Sequence, residues 1–125
     1  MSGVNKVFLV GHLGKDPEFR NIAGDVAVVS FPLATSETFN KDGKKIEQTE
    51  WHNIVMWRSL ADLAARLLEK GKLIAVEGKL RTRSFEDKEG HKRYTTEIIA
   101  DHFQLLGRKS DFEQTSELPV FMKHS

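Results

Sequence analysis

Apolar residues in the first half of the chain recur at the spacing of β-strands, in three runs rich in Val, Ile, Leu and Phe. The first run ends in the segment 14–17, because Pro17 has no N–H to donate to a neighbouring strand. Asp42 and Gly43 indicate a hairpin between the second and third runs, and its loop over 40–45 is expected to exceed a two-residue turn. The three predicted strands cover 6–13, 26–39 and 46–57.

After these strands the apolar spacing changes to three and four, which predicts one short amphipathic helix. Ser59 is its predicted N-cap, with Asp62 three residues later, and Gly71 is its predicted C-terminal cap. Two further strands, 73–85 and 93–106, follow the helix. The apolar stripe of the helix comprises Leu60, Leu63, Ala64, Leu67 and Leu68.

Three strands, a helix and two strands form the element order of an OB-fold, an all-β, five-stranded and partly open barrel. Closure of a barrel leaves little exposed sheet edge, which suits a small domain. Other small β-rich folds also fit this order and stay open as alternatives. We expect residues 1–106 to form one domain and 107–125, where the periodicity is lost, to form a short flexible tail.

The composition is that of a globular protein, with 39% hydrophobic and 30% charged residues in 125. The absence of cysteine excludes disulfide scaffolds, thiolate zinc sites and cysteine nucleophiles. No apolar run approaches the roughly 20 residues of a membrane span, and the N-terminus lacks the pattern of a targeting peptide. The sequence therefore predicts a single-domain cytoplasmic protein.

The motifs of common enzymes are missing from the sequence. There is no Gly-x-Ser-x-Gly nucleophile turn and no His-Glu-x-x-His metal pair. The five histidines are scattered, without the spacing of metal ligands. We therefore predict no enzymatic activity, no cofactor and no metal.

Charge is nearly balanced overall but uneven along the chain. The net charge of +1 is too small to attract polyanions generally. Between residues 70 and 93, however, eight Lys and Arg stand against four Asp and Glu. A nucleic-acid site, if present, would therefore depend on local placement of charge.

Strand parity brings aromatic and basic residues together. Side chains two residues apart share a face of a strand, so Trp51 and Trp57 point the same way from the third predicted strand. In the fourth, the residues that share a face are Lys79, Arg81, Arg83 and Phe85. Together with Phe39 at the end of the second strand, they are expected to occupy one face of the sheet.

This combination suits unpaired nucleic acid. Exposed bases stack on aromatic rings for roughly 1–3 kcal/mol each, and phosphates bind Arg and Lys, which makes affinity depend on salt. The same residues would also fit a core of aromatic rings beside solvated arginines. Parity leaves both interpretations open, and the mixing of rings and arginines on shared faces favours nucleic acid.

Six short strings in the chain resemble the bacterial single-stranded DNA-binding protein family. Each is weak alone, but all six occur in the family's order and spacing, from about residue 3 to residue 107. They lie at 4–7, 11–18, 34–37, 49–52, 77–83 and 93–97.

The resemblance implies an OB-fold that assembles as a homotetramer and wraps single-stranded DNA without sequence preference, in replication, recombination and repair in the nucleoid. It implies base stacking on Phe39, Trp51, Trp57 and Phe85. It implies phosphate contacts by Lys6, Arg20, Lys70, Arg81 and Arg83. His52 matches a family histidine at a subunit interface; alternatively, it is a satisfied polar group on the inner face of the third strand.

The C-terminal segment departs from the family pattern. Family members usually continue through a long Gly/Pro/Gln-rich linker to an acidic tip ending in Pro-Phe, which recruits replication and repair proteins. Residues 107–125 hold three basic and three acidic residues, and only Pro119 and Phe121 resemble that tip.

Two alternative functions stay open: an RNA-binding OB-fold module, and an OB domain that binds proteins.

Overall fold

The computed structural model of the chain describes residues 2–108, which form a six-stranded mixed sheet closed into a barrel. The elements are β1 (Val7–Leu13), β2 (Glu18–Ile22), β3 (Val26–Lys41), β4 (Lys44–Trp57), α1 (Ser59–Leu67), β5 (Lys72–Glu86) and β6 (Lys92–Arg108). The strand order is β1-β5-β6-β4-β3-β2, and an additional pairing of β1 with β3 closes the barrel around five of the strands. The helix lies between β4 and β5. This architecture confirms the predicted OB-fold.

Aliphatic side chains fill the barrel, and α1 packs against them. Burying each large one stabilises the fold by about 1.5–3 kcal/mol. The buried side of α1 is formed by Ala61 and Ala64, and Leu68, directly after the helix, is buried in the same core. Leu63 and Leu67 of the predicted stripe are exposed. The largest fully buried side chains are Leu33, Ile54, Met56, Ile74, Val29 and Val76.

Strand β2 was not predicted from the sequence. It begins directly after Pro17 and pairs with the first part of β3. All five of its residues are exposed, so it lacks the alternation of apolar and polar positions by which the pattern predicts strands.

The turn of the β3–β4 hairpin is shorter than expected. Lys41 pairs with Lys44, so only Asp42 and Gly43 lie between the strands. Their φ angles of 52° and 77° fit a turn in which both central residues are left-handed, which matches the twist of the flanking strands. The sequence pattern did not predict so short a turn, because the ends of both strands are polar and were assigned to the loop.

Both predicted helix caps are wrong. Ser59 is the first residue of α1, and the N-cap is Arg58, with φ of 59° and no side-chain hydrogen bond. The chain is held at this point because the Arg58 N–H donates to the carbonyl oxygen of Ala27 at 2.7 Å. Leu68 is the C-cap, and Gly71 instead donates its N–H to Leu13 at 2.9 Å from the following loop.

The last strand continues to Arg108, two residues past the predicted domain boundary. The rest of the predicted tail, 109–125, lies outside the described residues. Within residues 2–108, no helix is long and apolar enough to cross a membrane.

Candidate nucleic-acid interface

Trp51 and Trp57 both lie on the outer face of β4. Ile54 and Met56, at the alternate positions, are fully buried in the barrel, so the strand must turn its odd-numbered residues outward. Trp51 is 61% exposed, and Trp57 is half-buried. The predicted shared face of the two tryptophans is therefore present, on the outside of the barrel.

Strand β5 adds its basic residues to the same outer surface. After an irregularity in the ladder between Glu77 and Gly78, Arg81 pairs with Glu97 and Arg83 with Thr95 on β6. All four of these positions face outward. The parallel pairing of β6 with β4 joins this surface to that of the tryptophans, because Ile99 lies beside Val55.

A groove of about 490 Å³ forms where these strands meet. Arg20, Arg81 and Arg83 line it together with Trp57, and we call it the arginine groove. Arg20 comes from β2, opposite Val28, which in turn lies opposite Trp57. Its remaining lining residues are Ile22, Val28, Ser30, Val55, Glu97 and Ile99.

A second groove of about 310 Å³ continues the first along the barrel. The two share Ser30, Val55 and Glu97. The second groove extends to Pro32 and Asn53, which pair with each other. The next pair on the same face is Ala34 and Trp51. A continuous outer surface therefore connects the two tryptophans.

Arg83 is held between an acid and a ring. Its Nε lies 3.1 Å from Oε1 of Glu97, and its guanidinium carbon lies 5.9 Å from the centre of the Phe85 ring. The Arg83 side chain stays 54% exposed, whereas that of Glu97 is only 15% exposed. The guanidinium therefore has donors left for an anion that enters the groove.

Two outward tryptophans connected by adjoining grooves, one of them lined by three arginines, suit a single nucleic-acid strand, and the comparisons with known proteins agree. The profile of the Single-strand binding protein family matches residues 4–106. The chain belongs to this family.

Relatives and solved structures of this family are similar over most of the chain. It is 50% identical to Single-stranded DNA-binding protein 1 of Chlorobaculum tepidum, over 92% of this chain and 72% of the relative. It is 43% identical to the Single-stranded DNA-binding protein of Neisseria meningitidis serogroup A, over 86% of this chain but only 63% of that relative.

Two solved structures share the fold. The Plasmodium falciparum SSB complex with ssDNA has a TM-score of 0.75 and 29% identity, over 86% of this chain and 97% of that one. A deletion mutant of the single-stranded DNA binding protein from Thermus aquaticus has a TM-score of 0.75 and 32% identity, over 86% of this chain and 53% of that one.

Phe39 is the predicted stacking residue that the register separates from the tryptophans. Phe39 pairs with Ile46 and shares its face of β3 with Leu33, which is buried in the barrel. Trp51 pairs with Ala34, on the other face of the hairpin. The ladder between them has no irregularity that would exchange the faces. The expectation that Phe39 shares a face with Trp51 is therefore wrong, although its ring is 41% exposed.

Lys6 lies outside both grooves. Its Nζ is 2.6 Å from Oε1 of Glu77, and this hydrogen bond raises the pKa of Lys6 and lowers the pKa of Glu77. Both carry the charge that a close ion pair requires. A phosphate at Lys6 would have to compete with the Glu77 carboxylate.

Lys70 lies near the end of the second groove. Its backbone N–H donates to Oδ1 of Asp16 at 2.8 Å, and Asp16 lines that groove. The contact uses the backbone, so the ammonium group of Lys70 stays available to a phosphate.

His52 has a partner within the chain. Its Nε2 lies 2.9 Å from Oγ1 of Thr35, within hydrogen-bonding distance, and the pair is partly buried. This contact supports the interpretation of His52 as a satisfied polar group. Its role at a subunit interface stays a prediction.

Acidic residues and one glycine of the site were missed from the sequence. Glu97 could have been found, because counting outward from the Asp87–Gly90 turn places it opposite Arg81. Gly14 had no such indication, since its contact with Trp51 depends on how distant strands pack. No group of three or more His, Asp or Glu within residues 2–108 could hold a metal ion.

Proposed function

We propose that this protein binds single-stranded DNA without sequence preference, as a non-catalytic coating protein in replication, recombination and repair. The observation that carries this proposal is the arginine groove, which Arg20, Arg81 and Arg83 line together with the half-buried Trp57. The names of the relatives, and the solved Plasmodium falciparum complex, support the same ligand. The binding domain, predicted as 1–106, would extend to Arg108, where β6 ends, and the tail would follow it.

The proposed mechanism combines stacking with charge neutralisation. Trp51, Trp57 and Phe85 would each stack on a base, for about 1–3 kcal/mol apiece. The three arginines, with Lys70, would neutralise phosphates and release their counterions. A duplex hides its base faces, so this surface would prefer unpaired strands. Phe39 and Lys6 would contribute only where the strand leaves the two grooves.

We also propose a homotetramer in the cytoplasm, associated with the nucleoid, around which the strand would wrap. An exposed apolar side chain supports self-association: Phe8, on the outer face of β1 and lining neither groove, is 49% exposed. His52 is the interface residue in this proposal. Replication and repair proteins would be its further partners.

Titration of the full chain with a long labelled dT oligomer tests the proposal. We expect tight binding by anisotropy, accompanied by quenching of tryptophan fluorescence, and little competition from duplex DNA of the same length. Stronger competition by a matched RNA oligomer would favour an RNA-binding module. Failure to bind either strand would favour a protein-binding domain. Solution mass with and without the oligomer reports the assembly.

A further inference from the structure

Trp51 is the most exposed of the four predicted stacking residues, yet part of its ring lies against bare backbone. A Cβ atom added to Gly14 would lie 2.7 Å from Cη2 of Trp51 and still closer to Cζ3. Both atoms belong to the six-membered ring of the indole. The ring therefore occupies the space that a side chain at residue 14 would need.

The backbone at Gly14 is held in place. Its N–H donates to the carbonyl oxygen of Pro32 at 2.9 Å, and the preceding residue, Leu13, is buried opposite Leu33. The Cγ of Pro32 lies 3.5 Å from the same added Cβ. A methyl group at residue 14 would therefore displace the end of the Trp51 side chain, which can rotate, rather than the backbone.

Backbone conformation does not explain the glycine. Gly14 is not among the described glycines with positive φ, so alanine would be compatible with its backbone conformation. The space taken by the indole is the feature that excludes a side chain.

We propose that Gly14 is a positioning residue for Trp51: its lack of a side chain lets the indole pack on the end of β1 and hold a fixed orientation toward a base. This inference rests on the proposed function, because it assigns Trp51 to stacking. A ring that is already ordered loses less conformational entropy when a base binds.

The free protein provides the first test. In a Trp57→Phe background Trp51 is the sole tryptophan, since the chain has two. We expect Gly14→Ala to shift its fluorescence emission to longer wavelength and to reduce its near-ultraviolet circular dichroism. Gly3→Ala is the matched control, because nothing lies within 4 Å of a Cβ there. Spectra of Gly14→Ala that match those of the control would overturn the proposal.

A double-mutant cycle with a labelled dT oligomer provides the second test. Gly14→Ala should weaken binding by at most about 5- to 150-fold, the range for one lost stacking contact, and should have no further effect in a Trp51→Ala background. An equal loss in both backgrounds would overturn the proposal. If the wild-type chain binds no oligomer, the proposed function fails, and the spectra still decide the positioning role.

A third variant covers the case in which Gly14→Ala does not fold. Phenylalanine lacks the Cζ3 and Cη2 atoms that an alanine methyl would meet, so Gly14→Ala with Trp51→Phe should fold with the thermal midpoint of Trp51→Phe alone. A double variant that still fails to fold would show that Gly14 is needed by the barrel and not by the ring.

Discussion

Trp57 lines the same groove as three arginines. We expect Trp57→Ala to weaken binding of a dT oligomer by about 1–3 kcal/mol, because one base loses its stacking partner. Anisotropy titration measures this loss. Tyr94→Ala is a suitable control, since Tyr94 is 66% exposed but lies on the opposite face of β5–β6. Equal losses in the two variants would argue against stacking on Trp57.

Glu97 places a negative charge inside the arginine groove. We expect Glu97→Gln to strengthen binding several-fold at low salt, because Arg83 loses its partner and phosphates lose a repulsive neighbour. Screening should make the gain smaller as salt increases. The measurement is affinity for dT at two salt concentrations.

Glu50→Gln is the control for that charge change, because Glu50 faces away from Trp51 on the same strand. A gain of the same size in this variant would mean that net charge, rather than the groove, sets the affinity.

At the scale of single residues, parity alone predicted much of the site. It placed Trp51 and Trp57 on one shared face, because the alternation in β4 is regular, but it left open whether that face points into the core or outward. It failed for Phe39, because a face is shared across two strands only when their register is known. The contacts of Gly14 and Lys6 depend on side chains from other strands, so the local pattern could not predict them.

Among the elements, the β5–β6 turn is organised around one carboxylate. Oδ1 of Asp87 accepts the N–H groups of Glu89 and His91, each at 2.9 Å, and Oδ2 accepts from Nε of Arg93 at 2.8 Å. Arg93 pairs with Phe85 across the hairpin. The turn thereby fixes the end of the ribbon that carries a proposed stacking ring.

This turn should loosen in acid. The hydrogen bond from Arg93 is the main cause that lowers the pKa of Asp87 below 3.8 in the folded protein. Its stabilising effect is therefore complete above the ordinary pKa of an aspartate and is lost as the pH falls through the lower, folded value. We expect the amide signals of Glu89 and His91 to shift together over that acidic range in an NMR titration.

Asp87→Asn should remove this acid transition, whereas Asp25→Asn, in the β2–β3 turn, should preserve it. Persistence of the transition in the Asp87 variant would assign it to another group.

The elements differ in how far the sequence could predict them. Strands with one buried face were found within a few residues of their ends. Strand β2 was missed because an edge strand exposed on both faces has no apolar alternation. The N-cap was misassigned because the chain before the helix is held by a tertiary contact, the hydrogen bond from the Arg58 N–H to Ala27 of β3, which the local pattern does not show.

For the whole molecule, a net charge of +1 means that attraction to DNA depends on where the cations lie. The logarithm of affinity should fall with the logarithm of salt, by about 0.7 per phosphate contacted. Arg81→Gln should reduce that slope by about 0.7, since one contact is lost. Arg66→Gln, on the exposed side of α1, should preserve it; a reduction there too would indicate that the effect is not local.

The barrel itself followed from element order, but the groove did not. Its lining residues come from every strand from β2 to β6, and the β4 and β5 sides are joined only because β6, which pairs with β5, also pairs in parallel with β4. Such long-range pairing leaves no local trace in a sequence.

That parallel pairing is short, with only Ile54–Ile98 and Val55–Ile99 in register among the described residues. Val55 and Ile99 also line the arginine groove, so a ligand lying there spans one of the two short pairings that close the barrel, the other being that of β1 with β3. A nucleic-acid strand bound in the groove would then slow the opening of the barrel, in addition to being covered by the protein. The amide hydrogens of Val55 and Ile99 should therefore exchange more slowly in the complex than in the free protein. The bound nucleic acid would then stabilise the barrel itself.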